Sequence, residues 1–400
     1  MASKRGLFYG ITLNIALLSI ASFLTDVSSE MILPILPLFF LTLPGASEFI
    51  LGIVEGLAES TVSFVQIFSG YYSDKIGRRK VFVSSGYGFS AALKTALGFV
   101  FSWPQFMVVR IAERLGKGVR NPPRDAIIAE STPPETVGKA FGFHRAMDTS
   151  GAILGPIIAL ILLSVIVVRT VPADVYRLIF LMAAIPAVIA FVVTFLVREK
   201  RTAARQLKPL RSTLFHPPPR LRFFIIVATV FSLANFSYVF FLLKVKVVTG
   251  SDTMAILFYI VFNVVYASVA FGTGRLSDRV GRKPVIAAGY AMFVFLCMGL
   301  AFANDLYLLV GLFVVYGLVY GFVEGTQRAL VADLASGELR GTAMGSYHAS
   351  VGLAKLPSSA IAGFLWYSFG SQYTFLFGAA GALTAFLLFL SFREIPRRKD

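Results

Sequence analysis

Several ionisable residues of this chain sit inside long apolar runs. The acids are Asp26, Glu30, Glu55, Glu59, Glu113, Asp148 and Glu324. The bases are Lys94, Arg110, Arg114, Arg145 and Lys355, with Lys244 and Lys246 near the end of a run. A charge at the centre of a bilayer costs about 2.5–3.5 kcal/mol on insertion scales, so each needs a partner or a function. Asp26 and Glu30 are four residues apart and share a helix face, as do Glu55 with Glu59 and Arg110 with Arg114. Arg145 and Asp148 stand three apart, a spacing that allows pairing within one helix. A carboxylate in a low-dielectric cavity binds a proton nearer neutral pH than in water, and a neighbouring arginine competes with that proton. The opposing interpretation is an ion-pair network that only holds helices in register.

Other chemistries find little support. Cys297 is the single cysteine, beside His144, His216 and His348. Neither a disulfide framework nor a clustered zinc site is expected. No G-x(4)-G-K-[ST] phosphate loop is present, which argues against ATP hydrolysis. No nucleophile–base pair stands out, so no catalytic residue, metal or cofactor is expected.

The elements that hold these charges follow from composition. The chain has 400 residues, 56% of them hydrophobic and 14% charged, with 39 phenylalanines. Its mean hydropathy is +0.76. Ordinary soluble domains carry about 25% charged residues. The net charge of +16 falls in clusters between apolar runs, so membrane topology explains it better than nucleic-acid binding. About 20 apolar residues cross about 30 Å of hydrocarbon. Twelve runs qualify, near 9–41, 49–72, 80–101, 104–125, 137–167, 175–197, 221–246, 252–275, 284–303, 306–329, 340–368 and 371–393. Pro34 and Pro37 predict a bend in the first. The stretch after Met1 reads as the first span, not as a cleaved leader.

Under this count the basic clusters alternate. Lys75–Lys80, Lys117–Lys139, Arg198–Arg222, Arg279–Lys283, Arg340 and the terminal arginines share one side, with Arg169 and Arg177 as exceptions. The positive-inside rule then places both termini in the cytoplasm. The polar stretch 198–220 reads as a linker between halves 1–197 and 221–400, with anionic lipid headgroups as a further possibility there.

The halves repeat. Gly70, Ser73, Asp74, Gly77, Arg78 and Arg79 match Gly274, Ser277, Asp278, Gly281, Arg282 and Lys283. Ala126 and Ala129 with Gly138 and Gly142 match Ala329 and Ala332 with Gly341 and Gly345. Asp74 and Asp278 can cap a helix or pair with a nearby arginine. An unchanged topology at an offset of about 200 residues implies parallel repeats, as in one class of transporter.

The duplicated loop resembles the signature of the major facilitator superfamily. That resemblance implies an all-α membrane protein of twelve helices in two parallel six-helix repeats, working by alternating access, with the loop gating the halves. Gly151, Gly155 and Pro156 resemble the G-x-x-x-G-P motif of its drug-exporting branches; small residues four apart let helices approach closely. Arg114-Leu-Gly-Lys117-Gly118 resembles R-x-x-Q-G, with lysine in place of glutamine, and Asp26 with Pro34 resembles D-x(7)-P.

In that family spans one, four, seven and ten line the cavity. This points to Asp26, Glu30 and Glu324 as proton carriers, with Glu113 and Arg114 tuning them. Arg110, Asn235, Tyr238, Asn263, Tyr266, Gln327 and Lys355 become candidate substrate contacts. Gly70, Asp74, Gly77, Arg78, Asp278, Gly281, Arg282, Arg145, Asp148, Gly151, Gly155 and Pro156 become gating candidates. The expected function is proton-coupled efflux of a small organic or drug-like molecule by a monomer in a prokaryotic cytoplasmic membrane. Partners are the substrate, protons and the bilayer. Alternatives are a symporter, an exporter of an anionic metabolite or lipid, and a non-transporting receptor or scaffold.

Overall fold

The computed structural model describes residues 11–132, 136–166, 172–199, 218–335 and 340–392. Most of the expected linker, 200–217, lies outside the described residues, as do the terminal basic clusters. Among the described residues there are helices and no strands. The first run divides into α1 (Leu13–Ile32) and α2 (Leu36–Phe40). Pro34 explains the division, because it lacks the amide that would continue the ladder and its ring crowds the carbonyl four residues back. α3 (Glu48–Ile76), α4 (Arg79–Leu97), α5 (Trp103–Glu130), α6 (Val137–Ile166) and α7 (Pro172–Phe195) follow.

The seventh run also divides, into α8 (Pro219–Ala234) and α9 (Val239–Thr249), although no proline stands there. Sequence periodicity gave no sign of this break. Side chains from another helix supply the lost hydrogen bonds: Lys355 Nζ donates to the Asn235 carbonyl at 2.7 Å, and Ser359 Oγ accepts from Ser237 N–H at 3.1 Å. Broken helices are tolerated at membrane depth only with such replacement. The remaining helices are α10 (Asp252–Val280), α11 (Arg282–Phe302), α12 (Leu306–Leu334), α13 (Arg340–Phe369) and α14 (Ser371–Leu390).

Nine helical stretches of the described residues are long and apolar enough to cross a membrane. With α4, α5 and α13, whose interiors carry charges such as Lys94, Arg114 and Lys355, the helices coincide with the twelve expected spans. The helices are longer than their apolar cores. Lys117, Arg120 and Arg124, which the topology count placed around a connection, stand on the helix α5.

The residues cluster into two compact units. The first falls within 1–47, 57–208 and 251–260, the second within 48–56, 209–250 and 261–400. In the first, α4 packs on α5 and α7, while α1 packs on α6 and α7. In the second, α11 packs on α12 and α14, while α8 packs on α13 and α14. The pairing is the same in both, which is what a duplicated six-helix repeat requires.

Each unit has an aromatic centre. Phe39 meets Phe180 edge-on at 5.1 Å in the first; Phe241 stacks on Tyr316 at 4.3 Å in the second. Such pairs add about 0.5–1.5 kcal/mol beyond burial. Between helices in lipid, packing of this kind has to act in place of the hydrophobic effect.

A polar track through the first unit and its counterpart in the second

Glycines fix the relation of α6 to α1. A Cβ added at Gly151 would lie 2.7 Å from the Phe23 carbonyl oxygen and 3.0 Å from Asp26 Cβ. One at Gly155 would lie 2.6 Å from the Val27 carbonyl oxygen and 2.7 Å from Glu30 Cβ. The two glycines, four residues apart, therefore press on the two turns that carry the two acids, also four apart. Glu30 accepts a hydrogen bond from Tyr259 Oη at 2.7 Å.

Lys94 reaches the same turns from α4. The residue is 1% exposed, and its ammonium donates to Ser28 Oγ at 3.1 Å, Ser29 Oγ at 2.8 Å and the Thr25 carbonyl at 3.3 Å. Three neutral oxygens satisfy its three N–H donors, which is what a buried ammonium needs.

A column of cations runs along α5. Arg110 pairs with Glu113 at 3.4 Å, and Arg114 pairs with Glu59 of α3 at 2.6 Å. Arg120 donates to Ser90 Oγ at 3.0 Å and lies 4.6 Å from the Tyr87 ring centre. Arg124 donates to Ser22 Oγ and Asp125, both at 2.9 Å. On the helical wheel Lys117 lies between Arg124 and Arg114. The expected group of Asp26, Glu30, Arg110, Glu113 and Arg114 thus falls within one unit. Three participants went unselected in the sequence: Lys94, Glu59 and Tyr259. Lys94 was visible as a buried charge, but only the fold shows what it bonds.

In the second unit Glu324 pairs with Arg328 at 2.5 Å and accepts from Tyr266 Oη at 2.6 Å. Gln327 donates to Tyr290 Oη at 2.7 Å and accepts from Tyr347 Oη at 2.6 Å. Asn263 is buried. Asn235 and Tyr238 flank the break between α8 and α9, where Lys355 is anchored.

Both signature loops turn on glycine, at φ +67° for Gly77 and +101° for Gly281, the left-handed region that favours this residue. Arg79 pairs with Asp74 at 2.6 Å and with Glu130. Arg282 pairs with Asp278 at 2.7 Å and with Asp333 at 3.1 Å. Lys80 Nζ caps the end of α7 at the Phe195 carbonyl, and Lys283 Nζ does the same at Leu390, both at 2.8 Å. The sequence pattern set Arg78 opposite Arg282. The structure sets Arg79 there, because the first loop is one residue longer and Arg78 precedes the helix. Burial disfavours charge on Arg79, but the bonds to Glu130 and Asp74 outweigh this and raise its pKa above the ordinary value. Gly70 and Gly274 accept hydrogen bonds from Ser73 and Ser277.

Asp148 lies 3.7 Å from His144 Nε2, and His144 Nδ1 is 3.2 Å from Ser19 Oγ. His144 and Asp148 thus face each other one turn apart on α6. Among the described residues no cluster of His, Cys, Asp and Glu is fit to hold a metal.

The Major Facilitator Superfamily family model matches residues 18–272 and 246–400. The chain belongs to the major facilitator superfamily. It is an integral membrane transporter with a small-molecule substrate. An uncharacterized MFS-type transporter of Methanocaldococcus jannaschii is 38% identical over 383 residues, covering 94% of each chain. The multidrug resistance protein MdtG of Proteus mirabilis is 25% identical over 415 residues, covering 96% of this chain and 97% of its own. Among solved facilitator structures, a mutant of the nucleoside transporter NupG superposes with a TM-score of 0.80 at 14% identity, covering 95% of this chain and 100% of its own. A D-xylose–proton symporter gives 0.76 at 18% identity, covering 95% and 97%. At these identities the superpositions speak for the facilitator fold alone.

Proposed function

We propose that this facilitator is a proton-coupled exporter of a small organic molecule, acting as a monomer with both termini in the cytoplasm. The observation that carries the proposal is the seating of Gly151 and Gly155 on the turns of Asp26 and Glu30. A helix that must move for access to alternate is thereby packed on the two turns that carry the carboxylates. Protonation or deprotonation of either acid changes the charge on the turn that this contact holds, so proton binding and helix position act on the same turns of α1. Glu324, held by Arg328 and Tyr266 in the second unit, is the third proposed carrier. Similarity to the MdtG multidrug proteins supports the outward direction. The residues around Asn235, Tyr238, Asn263 and Gln327 are the proposed substrate contacts.

The experiment is flux in proteoliposomes with an imposed pH gradient. Substrate is expected to move against its own gradient while protons move the other way. No flux driven by protons or by exchange across a broad compound panel would sink the proposal. The column of cations on α5 favours a second reading, export of an anionic metabolite, and the same panel separates the two by the charge of the compounds that move.

A further inference from the structure

Outside the polar track, the first unit holds a groove of about 500 Å³ lined by Arg78, Lys80, Val81, Ser84, Ser85, Phe191, Phe195 and Glu199. It lies between the beginning of α4 and the end of α7. Val81 is 61% exposed and Phe195 56% exposed, so its walls open on the outer surface of the unit. Its polar end carries two cations and one carboxylate. That carboxylate is already engaged, because Glu199 accepts the backbone N–H of Arg79. Lys80 is held at the groove by the Phe195 carbonyl.

Arg78 has no role in the Asp74–Arg79–Glu130 latch, and the repeat shows it to be an addition. In the second unit Gly281 leads directly into the helix at Arg282, and Pro284 follows Lys283 where Val81 follows Lys80. The duplicated latch works without a counterpart of Arg78. The extra cation stands where an apolar trough meets the basic end of the helices.

We propose that this groove is a binding site for one anionic glycerophospholipid, its phosphate held by Arg78 and Lys80 and its acyl chain laid along Phe191, Phe195 and Val81. Charge complementarity selects the occupant. Basic pockets between spanning helices attract acidic headgroups, while the apolar wall has no use for a free ion. The groove lies at the end of the unit with the basic loops, the side on which anionic lipid is attracted to juxtamembrane lysine and arginine. The site is separate from the proposed transport track and does not depend on what is transported.

The test uses the full chain purified in detergent, with thermal midpoints measured after adding phosphatidylglycerol, phosphatidylcholine or inorganic phosphate. Phosphatidylglycerol is expected to raise the midpoint and to bind about tenfold more tightly than phosphatidylcholine. Arg78→Ala and Ser85→Trp, the second of which fills the groove, are expected to remove that preference. Should either variant fail to fold, native mass spectrometry of the unaltered protein, with the two lipids in competition, still reads the preference. Equal binding of the two lipids overturns the proposal. So does a preference that survives both substitutions, or an equal shift from inorganic phosphate.

Discussion

Gly155 packs directly on Glu30: a Cβ at position 155 would fall 2.7 Å from the Cβ of that glutamate. The contact gives the motif glycine a physical task. It lets one helix backbone reach the turn of another at the point where a charge is carried.

Gly155→Leu is therefore expected to force α6 away from α1 and to abolish transport, with overpacking costing about 1–3 kcal/mol. Gly138→Ala, at a position with open space around its Cα, is the control. A thermal midpoint and a flux assay on both variants check the contrast.

Asp26→Asn, Glu30→Gln and Glu324→Gln each remove a titratable group at nearly constant shape. Loss or flattening of the pH dependence of flux is expected in at least one of them. Unchanged pH profiles in all three would remove these residues from the coupling mechanism. Tyr259→Phe, which deletes only the hydroxyl bonded to Glu30, is expected to shift the profile without abolishing flux.

Lys94→Met keeps the length of the side chain and deletes its charge. It leaves the Thr25 carbonyl and the Ser28 and Ser29 hydroxyls without their donor, at a cost of about 1–3 kcal/mol for unmet polar groups. A drop in thermal midpoint is expected, and Lys94→Arg is not expected to restore it, because the planar guanidinium does not reproduce the three-way ammonium geometry.

Arg79→Ala and Arg282→Ala open equivalent latches. Each is expected to cost about 1–3 kcal/mol, between the values for exposed and buried pairs, since the carboxylate partners are partly exposed. Arg78→Ala breaks no latch and is expected to leave the midpoint in lipid-free detergent within about 0.5 kcal/mol of the parent, as surface changes do. Thermal melts of the three variants decide the assignment.

Topology is open to cysteine mapping, because Cys297 is buried and gives a quiet background. In whole cells an impermeant thiol reagent is expected to label Ser371→Cys and not Ala203→Cys. Labelling of Ala203→Cys from outside would overturn the cytoplasmic placement of the linker.

The sequence by itself determined the class. Hydrophobic length marks a spanning helix because the bilayer sets that length, and the basic clusters order the loops because orientation follows charge. Duplication of Gly70–Arg79 in Gly274–Lys283 was legible for the same reason: a turn that needs positive φ keeps its glycine. Asp26 and Glu30 were legible as one face, because i,i+4 spacing is local. What remained illegible was every relation between distant positions. Nothing in the spacing of Lys94 says that it meets Ser28 and Ser29, nor in Glu59 that it meets Arg114, since those contacts depend on how helices cross. The exchange of Arg78 for Arg79 hung on one residue of loop length, which backbone geometry alone resolves. The break at Asn235–Tyr238 has no proline to announce it; Lys355, more than a hundred residues away, makes it possible by supplying the missing donor. Local rules fixed the helices and their order. Tertiary packing decided which charges meet, because only the folded chain sets the distances over which charges and hydrogen bonds act.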